Sequence, residues 1–466
     1  MADAGAGLAG RGRPGGPRHP GLARLAVLAG STTVLVTASL LGCVLALANK
    51  WSCRAGAWNG YLTQFQAHCY TDIYPLYYGE GLSTGKVPYT GHPVEYPVLI
   101  GGAMQLVAWI VRPISDPFVR GREFFDVTIV LLTIFAIAGV LATAYLAGWS
   151  RRWTALGVAL APALILGAFI NWDLIAMGLV MLGLAAWAAR RGVLAGVLIG
   201  LAVATKFYPV LFLGPLLLLC LRAGRMRAFW VTAGSAAVAW LAVNVPVLIA
   251  APSGWARFYR LSETRTADWG SIWYFFQTEH WPLLGMTSVG HLNVLSGLVF
   301  LAACVGIGLL ILAAPRRPRV AQVVFLTLAV FLMFNKVWSP QYVVWLAPLV
   351  VLARPRFGAY AAWQLAEVGY FFAIWAYLIT VSVSGLGQVG GISSGLYFAA
   401  LLARFLTTAV LCGLVIREVL QPAHDVVRAG GGDDPAGGVL SGAPDRFVLK
   451  LRRRPERRPA TAATPR

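Results

Sequence analysis

Residues 151–227 read RRWTALGVALAPALILGAFINWDLIAMGLVMLGLAAWAARRGVLAGVLIGLAVATKFYPVLFLGPLLLLCLRAGRMR. Apolar segments alternate here with two kinds of turn. Arginines fill one kind, whereas Asn171-Trp172-Asp173 and Lys206-Phe207-Tyr208-Pro209 occupy the other. Because Lys and Arg collect in cytoplasmic loops, this alternation predicts helices that cross a bilayer in opposite directions.

The composition of the whole chain agrees with this interpretation. Of 466 residues, 58% are hydrophobic and 12% charged, and the mean hydropathy is +0.70. Soluble domains carry about 25% charged residues. The net charge of +20 lies largely in short runs between apolar segments, which indicates membrane orientation rather than nucleic-acid binding. The sequence therefore predicts an all-α polytopic membrane protein.

Charge also predicts the threading. With all arginine runs in the cytoplasm, both termini lie there too, as disordered tails over 1–22 and 419–466 around a membrane domain at 23–418. Outer loops fall at 49–123 and 251–290. Three apolar segments lie between the cytoplasmic residues Arg24 and Arg151, so an even number of crossings requires that one of them does not span. The weakest candidate is 97–112, which is short, begins with a proline and contains Gly101-Gly102. We expect it to be a juxtamembrane helix on the outer face, leaving about 12 spans.

The outer face gathers most of the 18 acidic residues. Asp72 follows the first span and is a candidate general base, although a loop Asp is more often a cap or turn residue. Asp173 either caps the next helix or orients a ligand. Lys206 is either functional or extends to the membrane interface.

Cations on the same face suit an anionic lipid phosphate. Arg presents a planar fork that matches phosphate, and the candidate donor-phosphate ligands are Lys206, Lys336, Arg260 and Arg265. The chain has no P-loop, dinucleotide fingerprint or zinc-ligand spacing. We therefore expect no metal and no cofactor. Cys53 and Cys69 share the first outer loop, and both the paired and the free state are open.

Several motifs together resemble one enzyme family. They are TDIYPLYYGEG, EYPVL, FINWDLIAMGL, ATKFYPVLFLGPLL, LRAGRMRAF, NVPV, RFYRLSETRTADWGSIWY and NKVWSPQYVVWLAPL. This set, between about residues 25 and 416, is similar to glycosyltransferase family 87, which includes a mycobacterial phosphatidylinositol-mannoside mannosyltransferase. The resemblance implies a GT-C fold with outer-face juxtamembrane helices.

The resemblance further implies a catalytic Asp in the first outer loop, which is Asp72. Residues of the shared motifs become candidates for binding sugar or acceptor: Tyr74, Glu95, Tyr96, Asn171, Asp173, Tyr208, Trp269, Trp338 and Gln341. The implied enzyme is an inverting hexosyltransferase in a bacterial plasma membrane. It moves mannose from a polyprenyl monophosphate to a cell-envelope glycolipid or glycan on the extracytoplasmic face, without nucleic acid as a partner.

Two other functions are compatible with the helix count. A lipid or solute transporter or flippase would use ionisable groups inside spans, and Glu367 and Arg404 lie in such segments. A non-catalytic membrane scaffold would explain the hydrophobicity but not the long aromatic loop around Asp72.

Overall fold

The computed structural model describes residues 20–60, 62–279, 288–382, 391–429 and 431–450. Within these ranges the chain forms helices and no strand. The first nine are α1 (Pro20–Arg54), α2 (Thr63–Gln66), α3 (Ile73–Gly79), α4 (Val98–Val111), α5 (Pro117–Ala147), α6 (Leu156–Ala159), α7 (Pro162–Gly167), α8 (Asp173–Ala188) and α9 (Gly192–Thr205). The others are α10 (Leu213–Ala223), α11 (Met226–Ala250), α12 (Pro252–Thr264), α13 (Ile272–Thr278), α14 (Val289–Ala313), α15 (Val320–Phe334), α16 (Val343–Ala353), α17 (Phe357–Ser382) and α18 (Ser394–Leu420).

Six of the described helices are long and apolar enough to cross a membrane: α1 from Ala29, α5, α11, α14, α17 and α18. Shorter apolar helices accompany them, and the protein is a polytopic helical membrane protein, as predicted. The apolar segment 153–170 is broken into the short helices α6 and α7, because Pro162 begins a new helix. The segment 97–112 forms α4, whose 14 residues span about 21 Å, less than the bilayer core.

Local sequence explains where helices end and how closely they pack. Asp116 accepts hydrogen bonds from the N–H groups of Phe118 and Val119, and Pro117 opens α5. Gly196 and Gly200 of α9 face the α11 backbone so closely that an added Cβ would lie 2.2 Å from a carbonyl oxygen. Small residues of this kind allow membrane helices to pack backbone against backbone.

The arginine turns gather at one end of the helices, here called the arginine end. Residues 421–429 and 431–450 pack against them. Buried Arg319 pairs with Asp425 at 2.8 Å, and Asp445 lies 2.7 Å from both Arg222 and Arg317. This arrangement differs from the disordered tail predicted from residue 419, because tail carboxylates provide the counter-charges of these buried arginines. Residues 1–19 and the basic run after 450 lie outside the described residues.

The opposite end of the same helices is the cavity end. Helix α15 starts beside Arg319 at the arginine end and finishes two residues before Lys336. Helix α9 likewise starts directly after Arg191 and ends directly before Lys206. The turns that carry Asn171, Lys206 and Lys336 therefore meet the loops around Asp72 and α12 at the cavity end.

Candidate active site

A cavity of about 660 Å³ opens at the cavity end, within the usual size range of ligand sites. Residues from the loop before α3, the turns before α8 and after α9, the segment 258–270 and the segment 335–345 line it, together with part of α17. Segments far apart in sequence thus converge on one space. The polar groups in that space decide what it can bind.

Asp72 is held by backbone contacts to a distant turn. Its N–H donates to the carbonyl of Ile170 at 2.6 Å, and the Thr71 hydroxyl donates to the carbonyl of Phe169 at 2.8 Å. The Tyr70 hydroxyl donates to Oδ1 of Asp72 at 2.6 Å, and the Tyr96 hydroxyl donates to Oδ2 at 3.5 Å. Asp72 lines the cavity, so its carboxylate is both oriented and accessible to a ligand.

The surroundings raise the pKa of Asp72 to about 6. Burial is the largest cause, and the negative charges of Glu95 and Asp173 act in the same direction. The Tyr70 hydrogen bond and the Lys206 charge oppose the shift. A carboxylate with a pKa nearer neutrality accepts a proton more readily than an ordinary Asp and remains largely ionised at pH 7.

Lys206 and Asp173 form a buried ion pair. Lys206 Nζ lies 3.1 Å from Asp173 Oδ1 and 4.7 Å from the centre of the Tyr96 ring. The N–H of Asp173 donates to Oδ1 of Asn171 at 3.0 Å. Lys206 and Asn171 line the cavity, whereas Asp173 lies behind Lys206. The pair therefore places one cation beside Asp72 with its charge partly neutralised.

Lys336 and Arg265 bring further positive charge to the cavity. Lys336 is buried, and its Nζ donates to the carbonyl of Glu263 at 3.0 Å and to Oδ1 of Asn293. Burial first, and then the charge of Arg265, lower the pKa of Lys336. Arg260 is exposed and does not line the cavity. The structure thus brings together three of the four predicted phosphate ligands.

Most of the residues predicted to bind sugar or acceptor line the cavity, and others do not. Those that line the cavity are Glu95, Tyr96, Asn171, Tyr208, Trp269 and Gln341. Tyr74 instead stacks on Trp58 at 4.1 Å, and buried Trp338 lies against the Arg404 guanidinium at 4.1 Å. These two aromatic side chains contribute to packing around the site rather than to its lining.

Three neighbours of the site were missed from the sequence. Tyr70 orients Asp72, and buried Lys50 donates from Nζ to the carbonyl of Tyr70 at 2.9 Å. Asp268 lines the cavity, and burial raises its pKa. Each had a local signal: Tyr70 lies two residues before Asp72, Lys50 follows the first apolar segment beside Trp51, and Asp268 lies beside Trp269 in the motif RFYRLSETRTADWGSIWY.

Glu367 and Arg404, the residues that favoured a transporter, pair with each other at 2.9 Å. Arg404 also donates to the carbonyls of Trp338 at 2.8 Å and Ser339 at 3.1 Å. The pair therefore supports the segment that follows Lys336.

Cys53 and Cys69 form a disulfide with a Cα–Cα distance of 5.6 Å. Cys69 directly precedes Tyr70, so the bond ties the end of α1 to the Asp72 loop. Among the described residues, no group of three or more His, Cys, Asp and Glu side chains is placed to hold a metal ion.

Comparison with known families matches the model of glycosyltransferase family 87 to residues 117–340. This part of the chain belongs to glycosyltransferase family 87. The family 87 region begins with α5 and includes Asn171, Lys206, Arg265 and Lys336, while Asp72 precedes it. Membership indicates glycosyltransferase activity. No curated protein matches the chain, so the expected similarity to the mycobacterial enzyme stays a prediction.

Proposed function

We propose that the protein transfers a hexose, specifically mannose, from a polyprenyl monophosphate to a hydroxyl group of a cell-envelope glycolipid or glycan. One observation carries this proposal. Asp72, with its raised pKa, shares a cavity with Lys206, Arg265 and Lys336. Transfer from a sugar phosphate requires a base that accepts the proton of the acceptor hydroxyl and cations that stabilise the leaving phosphate. This cavity contains both.

The acceptor hydroxyl attacks the anomeric carbon as the bond from that carbon to the phosphate oxygen breaks. The proton of the hydroxyl passes to Asp72, and the electron pair of the broken bond stays on the phosphate. Direct displacement of this kind inverts the anomeric centre. The cations stabilise the charge that develops on the leaving phosphate, and no metal or cofactor takes part in the proposed steps.

The active site is proposed to be extracytoplasmic, in a bacterial plasma membrane, with both termini in the cytoplasm. The Cys53–Cys69 disulfide beside Asp72 supports this orientation, because disulfides persist in oxidising compartments. The arginine turns at the opposite end support it as well.

The test is transfer of radiolabel from polyprenyl-phosphate mannose to a cell-envelope lipid extract by purified protein in detergent. Asp72→Asn should lower turnover about 10²–10⁴-fold, the usual contribution of acid–base catalysis. Asp116→Asn is the matched control, because Asp116 caps α5 on the surface and Asn caps equally well.

Retention of more than about a tenth of wild-type activity by folded Asp72→Asn would remove Asp72 as the base. Absence of transfer by wild-type protein with mannose and with a panel of other lipid-linked sugars would favour a transporter instead.

A further inference from the structure

Asp268 is the carboxylate in the cavity whose role the proposed reaction does not explain. Its N–H donates to the carbonyl of Lys336 at 2.8 Å, and the Ser339 hydroxyl donates to its Oδ2 at 3.3 Å. Among the ion pairs of the described residues, none includes Asp268. The structure therefore anchors the backbone of Asp268 at the cavity wall, and no ion pair among these neutralises its carboxylate.

Asp268 lies beside the cations that are proposed to bind the leaving phosphate. It follows Arg265 by three residues and is bonded through its backbone to Lys336, and both cations line the cavity. In a glycosyl phosphate the phosphate oxygen is attached to the anomeric carbon, so the neighbouring ring hydroxyls lie a few bonds away. A carboxylate next to the phosphate-binding cations is placed to meet those hydroxyls.

Asp268 also lies near Asp72, the proposed base, because both charges act on the same Tyr70 hydroxyl. The negative charges of Asp72, Glu95 and Asp268 all raise the pKa of the Tyr70 hydroxyl. Tyr70 and the three carboxylates also line the same cavity. A sugar ring in that space would have Asp72 near its reacting carbon and Asp268 near its hydroxyl groups.

We propose that Asp268 binds the transferred sugar by accepting hydrogen bonds from ring hydroxyls close to the anomeric carbon. The inference rests on the proposed function and names the residue that distinguishes a sugar phosphate from a bare lipid phosphate. An ionised carboxylate only accepts hydrogen bonds, and bonds from a hydroxyl to a charged acceptor are among the stronger ones in proteins.

The alternative role is that of a counter-ion for Arg265 and Lys336. The two roles predict opposite effects of removing the charge. Loss of a counter-ion strengthens binding of any lipid phosphate, with or without a sugar. Loss of a sugar ligand weakens binding of the sugar-bearing lipid alone.

The experiment measures the dissociation constants of a short-chain polyprenyl phosphate and of the same lipid carrying mannose, for wild type and Asp268→Asn. The affinity ratio of the two lipids reports the contribution of the sugar. We expect Asp268→Asn to lower that ratio about tenfold or more, while binding of the bare lipid phosphate is retained or tightened. The bare lipid serves in addition as the test that the variant is folded.

Asp268→Glu is the second variant. It keeps the charge but moves the acceptor oxygens, so a sugar ligand predicts a lower ratio and a counter-ion predicts no change. An unchanged ratio in both variants overturns the inference while leaving the proposed function intact. Wild-type protein that binds neither lipid, or both equally, overturns the proposed donor and this inference with it.

Discussion

The Tyr70 hydroxyl donates a 2.6 Å hydrogen bond to Oδ1 of Asp72. Tyr70 is itself held in place, because its carbonyl accepts a bond from buried Lys50 and Cys69 before it is bonded to Cys53. The proposed base is thus oriented by a residue that the end of α1 fixes from two sides.

Removing this hydroxyl should change the pH dependence of the reaction. Asp72 must be ionised to accept a proton, so kcat/KM should fall as the pH drops through about 6, the pKa of Asp72. The Tyr70 bond lowers this pKa, and Tyr70→Phe should therefore move the acidic limb to higher pH. Tyr74→Phe is the control, since Tyr74 stacks outside the cavity. A limb that does not move in Tyr70→Phe would contradict the assignment of Asp72.

The raised pKa of Asp72 also has a consequence for stability. The folded state binds the proton of this carboxyl more tightly than the unfolded state, so its contribution to stability is present at low pH and lost as the pH rises through about 6. Asp72→Asn removes the ionised group. The difference in melting temperature between Asp72→Asn and wild type should therefore be more in favour of the variant at pH 8 than at pH 4. The corresponding change in the free energy of unfolding is at most about 3 kcal/mol. An equal difference at both pH values would show that Asp72 is not destabilised by burial.

The sequence predicted the helical membrane fold because arginine placement and apolar length act locally. It also predicted Asp72 from the aromatic-rich first outer loop and the family resemblance, and Lys206 and Lys336 because each lies at the end of an apolar segment beside aromatic residues. Lys50 and Asp268 also lie beside tryptophans, but they were not selected, because the contacts that bring them to the site join residues distant in the chain. Arg260 and Arg265 were predicted from one motif and both are exposed. Only Arg265, which directly follows α12, lines the cavity. The packing of 421–429 and 431–450 was missed, because the Gly- and Pro-rich composition of this part of the chain does not reveal the buried arginines that it contacts.

Arg260 and Arg265 form a matched pair for locating the donor phosphate. Arg265→Ala should raise the KM for the lipid-linked sugar about tenfold or more, the value of a hydrogen bond between charged groups. Arg260→Ala should change it less than about twofold, because an exposed cation outside the cavity acts only through solvent. Steady-state kinetics at fixed ionic strength measure both. Equal effects of the two substitutions would place the phosphate outside the cavity.

The disulfide should support activity as well as stability. Replacing Cys53 and Cys69 by Ser frees the chain between them, and closing a loop of that size contributes about 3 kcal/mol in the chain-entropy model. We expect a lower melting temperature and a lower kcat, because the Asp72 loop loses its attachment to α1. Cys304→Ser is the control, since Cys304 is a free cysteine. Wild-type kcat in the double variant would mean that the Lys50 and Ile170 contacts position Asp72 without the disulfide.

The Glu367–Arg404 pair separates the enzyme from the transporter. Both side chains are buried and 2.9 Å apart, so Glu367→Gln leaves a buried guanidinium without its counter-charge. Such a loss is destabilising by about 3–5 kcal/mol. Adding Arg404→Met removes the unpaired charge, although the carbonyls of Trp338 and Ser339 then lose their donor. The double variant should therefore be destabilised by less than the sum of the single effects. Thermal unfolding in detergent measures all three variants. A Glu367→Gln protein of wild-type stability that has lost a transport activity would instead identify Glu367 as part of a transport pathway.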